Sequence, residues 1–214
     1  PFSRPRRQFF GWGVGLIASA SLAGCNSSDT KTSSTANAGA QNKTLTVGLS
    51  SLGTAENWLP WLEAGREGWL VLEPVYESLV AVDPKTGEFL PELAESWDVS
   101  ADGKRWRFKL RQNIPFHDGK GMFSAQDVLF SYDMYVSDKA LASNKPILLN
   151  LVERIETISA HEIVFHLKMP DVTFLGRVCV GQFGIACKAY VESVGDREAM
   201  AKPIGTGPYR MVEH

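Results

Sequence analysis

A domain of mixed α and β structure is predicted by three observations on this sequence. Residues 105–111 alternate strictly: Trp106, Phe108 and Leu110 fall on one face and Arg105, Arg107, Lys109 and Arg111 on the other. That period of two marks a half-buried strand in an antiparallel sheet, with the cations on a solvated face. Ser124 with Asp127 three residues on opens a helix as a short capping box, and Val128, Leu129, Tyr132 and Val136 supply its apolar side. Residues 152–159 and 162–169 read as two strands meeting at Ala160-His161 in a hairpin, with Ile163, Phe165, Leu167 and Met169 pointing inward.

The remaining elements follow in chain order. Leu45-Thr46-Val47-Gly48-Leu49 alternates as a strand and runs into a Ser-Ser-Leu-Gly loop. From Arg66 to Leu79, the apolar residues Trp69, Leu72, Val75, Tyr76 and Leu79 form a helical stripe in which Pro74 marks a kink. Asp102-Gly103 is hairpin-turn chemistry ahead of the alternating strand, and Asp171 is placed to cap a short helix. Gly205-Thr206-Gly207-Pro208 reads as a turn into a strand.

Composition narrows the function classes. Lys and Arg number 22 against 24 Asp and Glu, a net charge of −2, which lacks the basic face that nucleic-acid binding demands. The first residues are of another kind. Arg4, Arg6 and Arg7 precede a short apolar stretch from Phe9 to Ala20, diluted by Gly and Ser and too short to span a bilayer. Leu22-Ala23-Gly24-Cys25 closes it and resembles a bacterial lipobox, which implies cleavage before Cys25 and acylation of its sulfur and amine. Arg6-Arg7-Gln8-Phe9-Phe10 also resembles a twin-arginine export signal. Residues 1–24 are thus expected to be a lipoprotein signal peptide. The Ser, Thr, Asn and Ala-rich residues 25–43 are expected to be a flexible linker, and 44–214 the folded domain. In an extracytoplasmic setting, Cys179 and Cys187 either close a small disulfide loop or remain buried thiols, and spacing does not choose between them.

Catalytic and metal constellations fail on geometry. His161 and His166 are five apart, whereas a zinc-protease helix needs four, and in a strand they have opposite parity. Gly205-Thr206-Gly207 resembles a phosphate loop only until Pro208 removes a backbone N–H. His117-Asp118-Gly119 pairs an imidazole with a carboxylate in ordinary turn chemistry. No nucleophile elbow or triad is present in the sequence, so neither enzyme activity nor a metal or other cofactor is expected.

Five segments carry a family resemblance. Leu90-Pro91-Glu92-Leu93-Ala94-Glu95-Ser96-Trp97 and Ser100-Ala101-Asp102-Gly103-Lys104-Arg105-Trp106-Arg107-Phe108 come first. Phe116-His117-Asp118-Gly119, Ser124-Ala125-Gln126-Asp127-Val128 and Pro203-Ile204-Gly205-Thr206-Gly207-Pro208-Tyr209 follow. In this order they resemble the bacterial family 5 extracellular solute-binding proteins, the peptide and nickel receptors of ABC importers. The resemblance implies a periplasmic-binding-protein type II-like fold: a lobe-one fragment with a mixed sheet and a smaller β-rich subdomain, the second lobe missing. It implies a receptor that captures an oligopeptide or similar solute outside the membrane and hands it to ABC permease subunits. A sensory or scaffold lipoprotein using the same module is the alternative. Anchorage is expected through lipid on the extracytoplasmic face of the bacterial membrane.

Ligand contacts are assigned by position within that fold. The loop after the first strand presents Glu56, Asn57, Trp58 and Trp61: Glu56 suits a peptide amine, and the indoles suit apolar side chains. The two tryptophans fit equally well as packing at the base of the Arg66 helix. Gln182 and Phe183, in a Gly-bounded loop, form a second candidate contact.

Overall fold

The computed structural model describes residues 46–48, 57–179 and 182–212, and every element lies in the unit Val47–His214. Its central feature is a four-stranded antiparallel sheet in the order β3-β4-β6-β5. The strands are β3 (Ala94–Val99), β4 (Arg105–Leu110), β5 (Val152–Ser159) and β6 (Glu162–Leu167). A second, two-stranded antiparallel sheet joins β1 (Val80–Val82) to β2 (Phe89–Pro91). Helices α1 (Arg66–Leu72), α2 (Ala125–Val136), α3 (Lys145–Leu151), α4 (Lys188–Val194) and α5 (Asp196–Ala201) complete the fold.

The alternation of β4 is realised in full, with its residues exposed and buried in strict turn. Phe108 and Trp106 join Phe165 and Phe174 in a cluster of aromatic rings 5.3–6.4 Å apart, edge-on or tilted. The β3–β4 turn closes on Gly103, whose φ of 68° favours glycine, while Asp102 Oδ1 accepts from Lys104 N at 3.1 Å. On the outer face, Arg107 pairs with Glu162 at 2.8 Å, and Glu156 meets both Arg154 and His166. The cation stripe of β4 therefore sits on a solvated face interleaved with carboxylates.

Five expectations are corrected. Thr46–Gly48 belongs to no strand, and Val47 stands 67% exposed; Leu45 and Leu49 lie outside the described residues. Helix α1 stops at Leu72 rather than continuing through Pro74, because proline lacks the N–H of the next helical bond. The stripe is nonetheless buried as a unit, Trp69, Leu72, Val75, Tyr76 and Leu79 all lying in the core. Strand β6 ends at Leu167, which leaves Met169 exposed before Pro170. Asp171 caps a turn, accepting from Thr173 N at 2.7 Å, and leads into a π-helical turn at Leu175–Cys179 rather than an α-helix. The segment after Gly205-Thr206-Gly207 is likewise a bend with no strand following among the described residues.

Helix α2 has the expected capping box: Ser124 accepts from Gln126 N, and the Asp127 carboxylate accepts from Ser124 N. Its buried face differs from the expected one. Leu129, Tyr132 and Val136 are only half-buried, whereas Asp127, Val128, Ser131 and Tyr135 face the interior. Three of these carry polar atoms that meet an extended segment antiparallel to the helix. Gly184 N donates to Tyr135 Oη, Ala186 N to Ser131 Oγ and Lys188 N to Asp127 Oδ1, at 3.1, 3.0 and 2.9 Å. Four helical residues rise about 6.0 Å and two extended residues about 6.6 Å, so the two periods nearly match over the two steps between three rungs. Every second amide of a segment without strand partners is thereby satisfied by a helix.

Candidate functional site

The sequence motifs of the domain interlock. Because α1 ends before Pro74, the carbonyls of Pro74 and Val75 are available, and they accept from Tyr209 N at 3.0 Å and Gly207 N at 2.9 Å. The approach is so close that a Cβ at Gly205 would lie 1.9 Å from Val75 O. His117 completes this knot: its Nε2 lies 2.8 Å from Gly207 O, its Nδ1 accepts from Gly205 N at 3.4 Å, and its backbone N donates to Gly205 O. Both ring nitrogens are thus taken by the backbone. Asp118 is held by Lys202 and Arg210, and the hydrogen bond from Lys202 above all keeps its carboxyl below the usual aspartate range. The His117-Asp118 pair is consequently a structural clasp.

The candidate ligand residues lie on loops that the fold brings together. A 3₁₀ turn at Pro60–Leu62 follows Asn57 and Trp58, and Pro60 lies beside Gly184. The carbonyl of Trp61 accepts from Leu141 N and Ala142 N at 2.9 and 3.1 Å, tying this loop to the one before α3. That loop in turn grips the third: Asn144 Nδ2 donates to Gln182 O at 2.7 Å, and Ser143 Oγ lies 3.3 Å from Gln182 Oε1.

Within this cluster the predicted residues separate. Asn57 and Trp58 are half-buried and Gln182 is exposed, so all three reach the surface. Trp61 and Phe183 are 0% exposed: Trp61 stands edge-on to Phe130 at 6.0 Å, and Phe183 packs on Tyr135 at 5.0 Å. Both therefore fill the core beneath the loops, the packing role that the sequence left open for Trp61. Glu56 and Cys25 lie outside the described residues, as do residues 1–43 as a whole. Cys187 is a buried free thiol 3.5 Å from Lys120 O, its ionisation pushed upward mainly by burial, and the side chain of Cys179 is outside the description.

Sequence reasoning missed Ser143 and Asn144. Asn144 before Lys145-Pro146 is a helix-start signal, with proline in the first turn of α3. Its side chain does not cap α3 and turns instead to Gln182, a contact across 38 residues that no local pattern encodes.

Comparison with known proteins agrees with this architecture. Residues 88–214 match the bacterial extracellular solute-binding proteins, family 5 (middle). Di/tripeptide-binding protein 2 of Pseudomonas aeruginosa (strain UCBPP-PA14) is 37% identical over 156 residues, which are 64% of this chain and 29% of that protein. The periplasmic binding protein DppA of Helicobacter pylori, solved with the peptide STSA, superposes with a TM-score of 0.65 at 27% identity, covering 76% of this chain and 35% of that one. AgaA of A. tumefaciens R10, solved with agropinic acid, gives 0.67 at 28% identity, covering 76% and 32%. The chain spans about a third of the length of these relatives. It belongs to the bacterial extracellular solute-binding proteins of family 5.

Proposed function

We propose that this chain is the ligand-facing portion of an extracytoplasmic, non-enzymatic receptor that captures short peptides or a similar solute for an ABC permease. The observation that carries the reading is the junction of three loops, which puts Asn57, Trp58 and Gln182 at the surface of one cluster over a core of Trp61 and Phe183. Amide and indole groups of this kind suit a peptide backbone and its apolar side chains. Membership of a solute-binding family and relatives named for di- and tripeptides support the same ligand class. Glu56 retains the role of partner for a peptide amine. Residues 1–24 serve as a signal peptide, Cys25 as the lipid attachment point and residues 25–43 as a tether.

The dipeptide Met-Leu, titrated to millimolar concentration into the ¹⁵N-labelled chain, tests the ligand site. Resonances of Asn57, Trp58 and Gln182 are expected to move, while Arg107 and His166 on the outer sheet face stay in place. Movement confined to the sheet face, or none at the three loop residues, refutes the assignment.

A further inference from the structure

Tyr76 lies on the short segment that follows α1 and is 2% exposed. Its hydroxyl donates to Trp58 O at 3.1 Å, across 18 residues. Its Cβ would come within 2.8 Å of a Cβ placed on Gly184, and its Cδ1 within 3.1 Å of one placed on Gly205. The next residue continues the contact, Glu77 O accepting from Ile185 N at 2.9 Å. One side chain thus bonds the loop of Asn57 and Trp58 and also packs without clearance against the loop of Gln182. Because Gly184 has no side chain, Tyr76 makes the tightest approach at that point, while Pro60 Cγ and Trp69 Cζ3 would lie at an ordinary 3.5 Å from a Cβ placed there. Burial above all, with smaller contributions from Tyr190 and Cys187, pushes the Tyr76 phenol far upward, so the hydroxyl remains a donor at any physiological pH.

We propose that Tyr76 is a positioning residue that holds the two candidate ligand loops in one fixed relation and transmits a displacement of the Gln182 loop to Trp58 through its hydroxyl. The proposal rests on the reading of those loops as ligand-facing, but the coupling itself is measurable without ligand. Gly184→Ala forces Tyr76 and the Gln182 loop apart, since a 2.8 Å contact is shorter than carbon atoms accept. Tyr76→Phe keeps the ring, removes only the bond to Trp58, and costs a thermal midpoint shift of about 2–4 °C.

The experiment follows Trp58 by ¹⁹F NMR in the full chain labelled with 5-fluorotryptophan, its signal assigned with Trp58→Phe. Gly184→Ala is expected to shift the Trp58 signal in the otherwise native chain and to leave it in place when Tyr76→Phe is also present. A Trp58 signal that ignores Gly184→Ala, or that moves equally in both backgrounds, overturns the proposal. Should Gly184→Ala not fold, Tyr76→Phe alone decides: the amide signals of Gln182 and Phe183 move if the tyrosine couples the loops and stay put if it does not. Addition of Met-Leu separates the two readings. A peptide that moves neither loop refutes the ligand assignment while the ligand-free coupling of Trp58 to Gly184 stands.

Discussion

Glu92 places Oε2 3.0 Å from Ser78 N in a position that water reaches poorly, with Glu77 and Glu73 adding negative charge and Arg111 opposing them. Burial is the larger cause and raises its carboxyl from the ordinary 4.5 to about 7. The folded protein therefore binds this proton more tightly than the unfolded chain does. The resulting stability is fully present below about pH 4.5 and is lost as pH rises through about 7. Glu92→Gln keeps an acceptor for Ser78 N and removes the titration. Its urea midpoint, relative to wild type, is expected to be higher at pH 8 than at pH 5. An equal difference at both pH values contradicts a raised carboxyl. Tyr76 illustrates the complementary residue-scale effect, in which burial fixes a hydroxyl in its donor form.

At the scale of elements, the ladder between α2 and residues 184–188 joins two different backbone periods. Ser131 is its middle rung: fully buried, it donates to Asp127 O at 2.7 Å while accepting from Ala186 N. Ser131→Ala strands a buried amide, which costs about 1–3 kcal/mol. Gln126, exposed on the opposite side of α2, gives the control, and Gln126→Ala is expected to leave the urea midpoint nearly unchanged. Equal midpoints for the two variants would remove the ladder from the account of stability. Gly205→Ala is the harsher case, since its Cβ would fall 1.9 Å from Val75 O and open the knot with His117. A loss of more than about 3 kcal/mol, or failure to fold, is expected.

These elements also show what the sequence discloses. The strand Arg105–Leu110 was legible because a half-buried sheet imposes its period on adjacent residues, and the hairpin of β5 and β6 was legible from two apolar runs meeting at Ala160-His161, although Val164 is buried as well as Ile163 and Phe165. The capping box of Ser124 and Asp127 was legible because it closes within three residues. The inward face of α2 was not, since the burial of Ser131 depends on a partner 55 residues away. For the same reason Trp58 and Trp61 looked alike in sequence, and only tertiary packing put Trp61 beneath the loop and left Trp58 half-exposed.

At the scale of the whole molecule, the proposed lipid at Cys25 has to supply any affinity for a membrane. No helix among the described residues is long and apolar enough to cross one. Among the described residues, the cations of β4 are interleaved with Glu156 and Glu162. The proposed attachment is covalent lipid at Cys25. A buried CH₂ contributes about 0.8 kcal/mol, and one acyl chain binds only marginally, so stable anchoring takes more than one chain. Acylation at both the sulfur and the amine, as the lipobox resemblance implies, meets that requirement at a single residue. In bacteria competent for lipoprotein processing, labelled fatty acid is expected to enter the wild-type chain and not Cys25→Ser, and the wild type is expected to partition into detergent while the variant remains aqueous. Equal labelling of the two chains would remove Cys25 as the anchor.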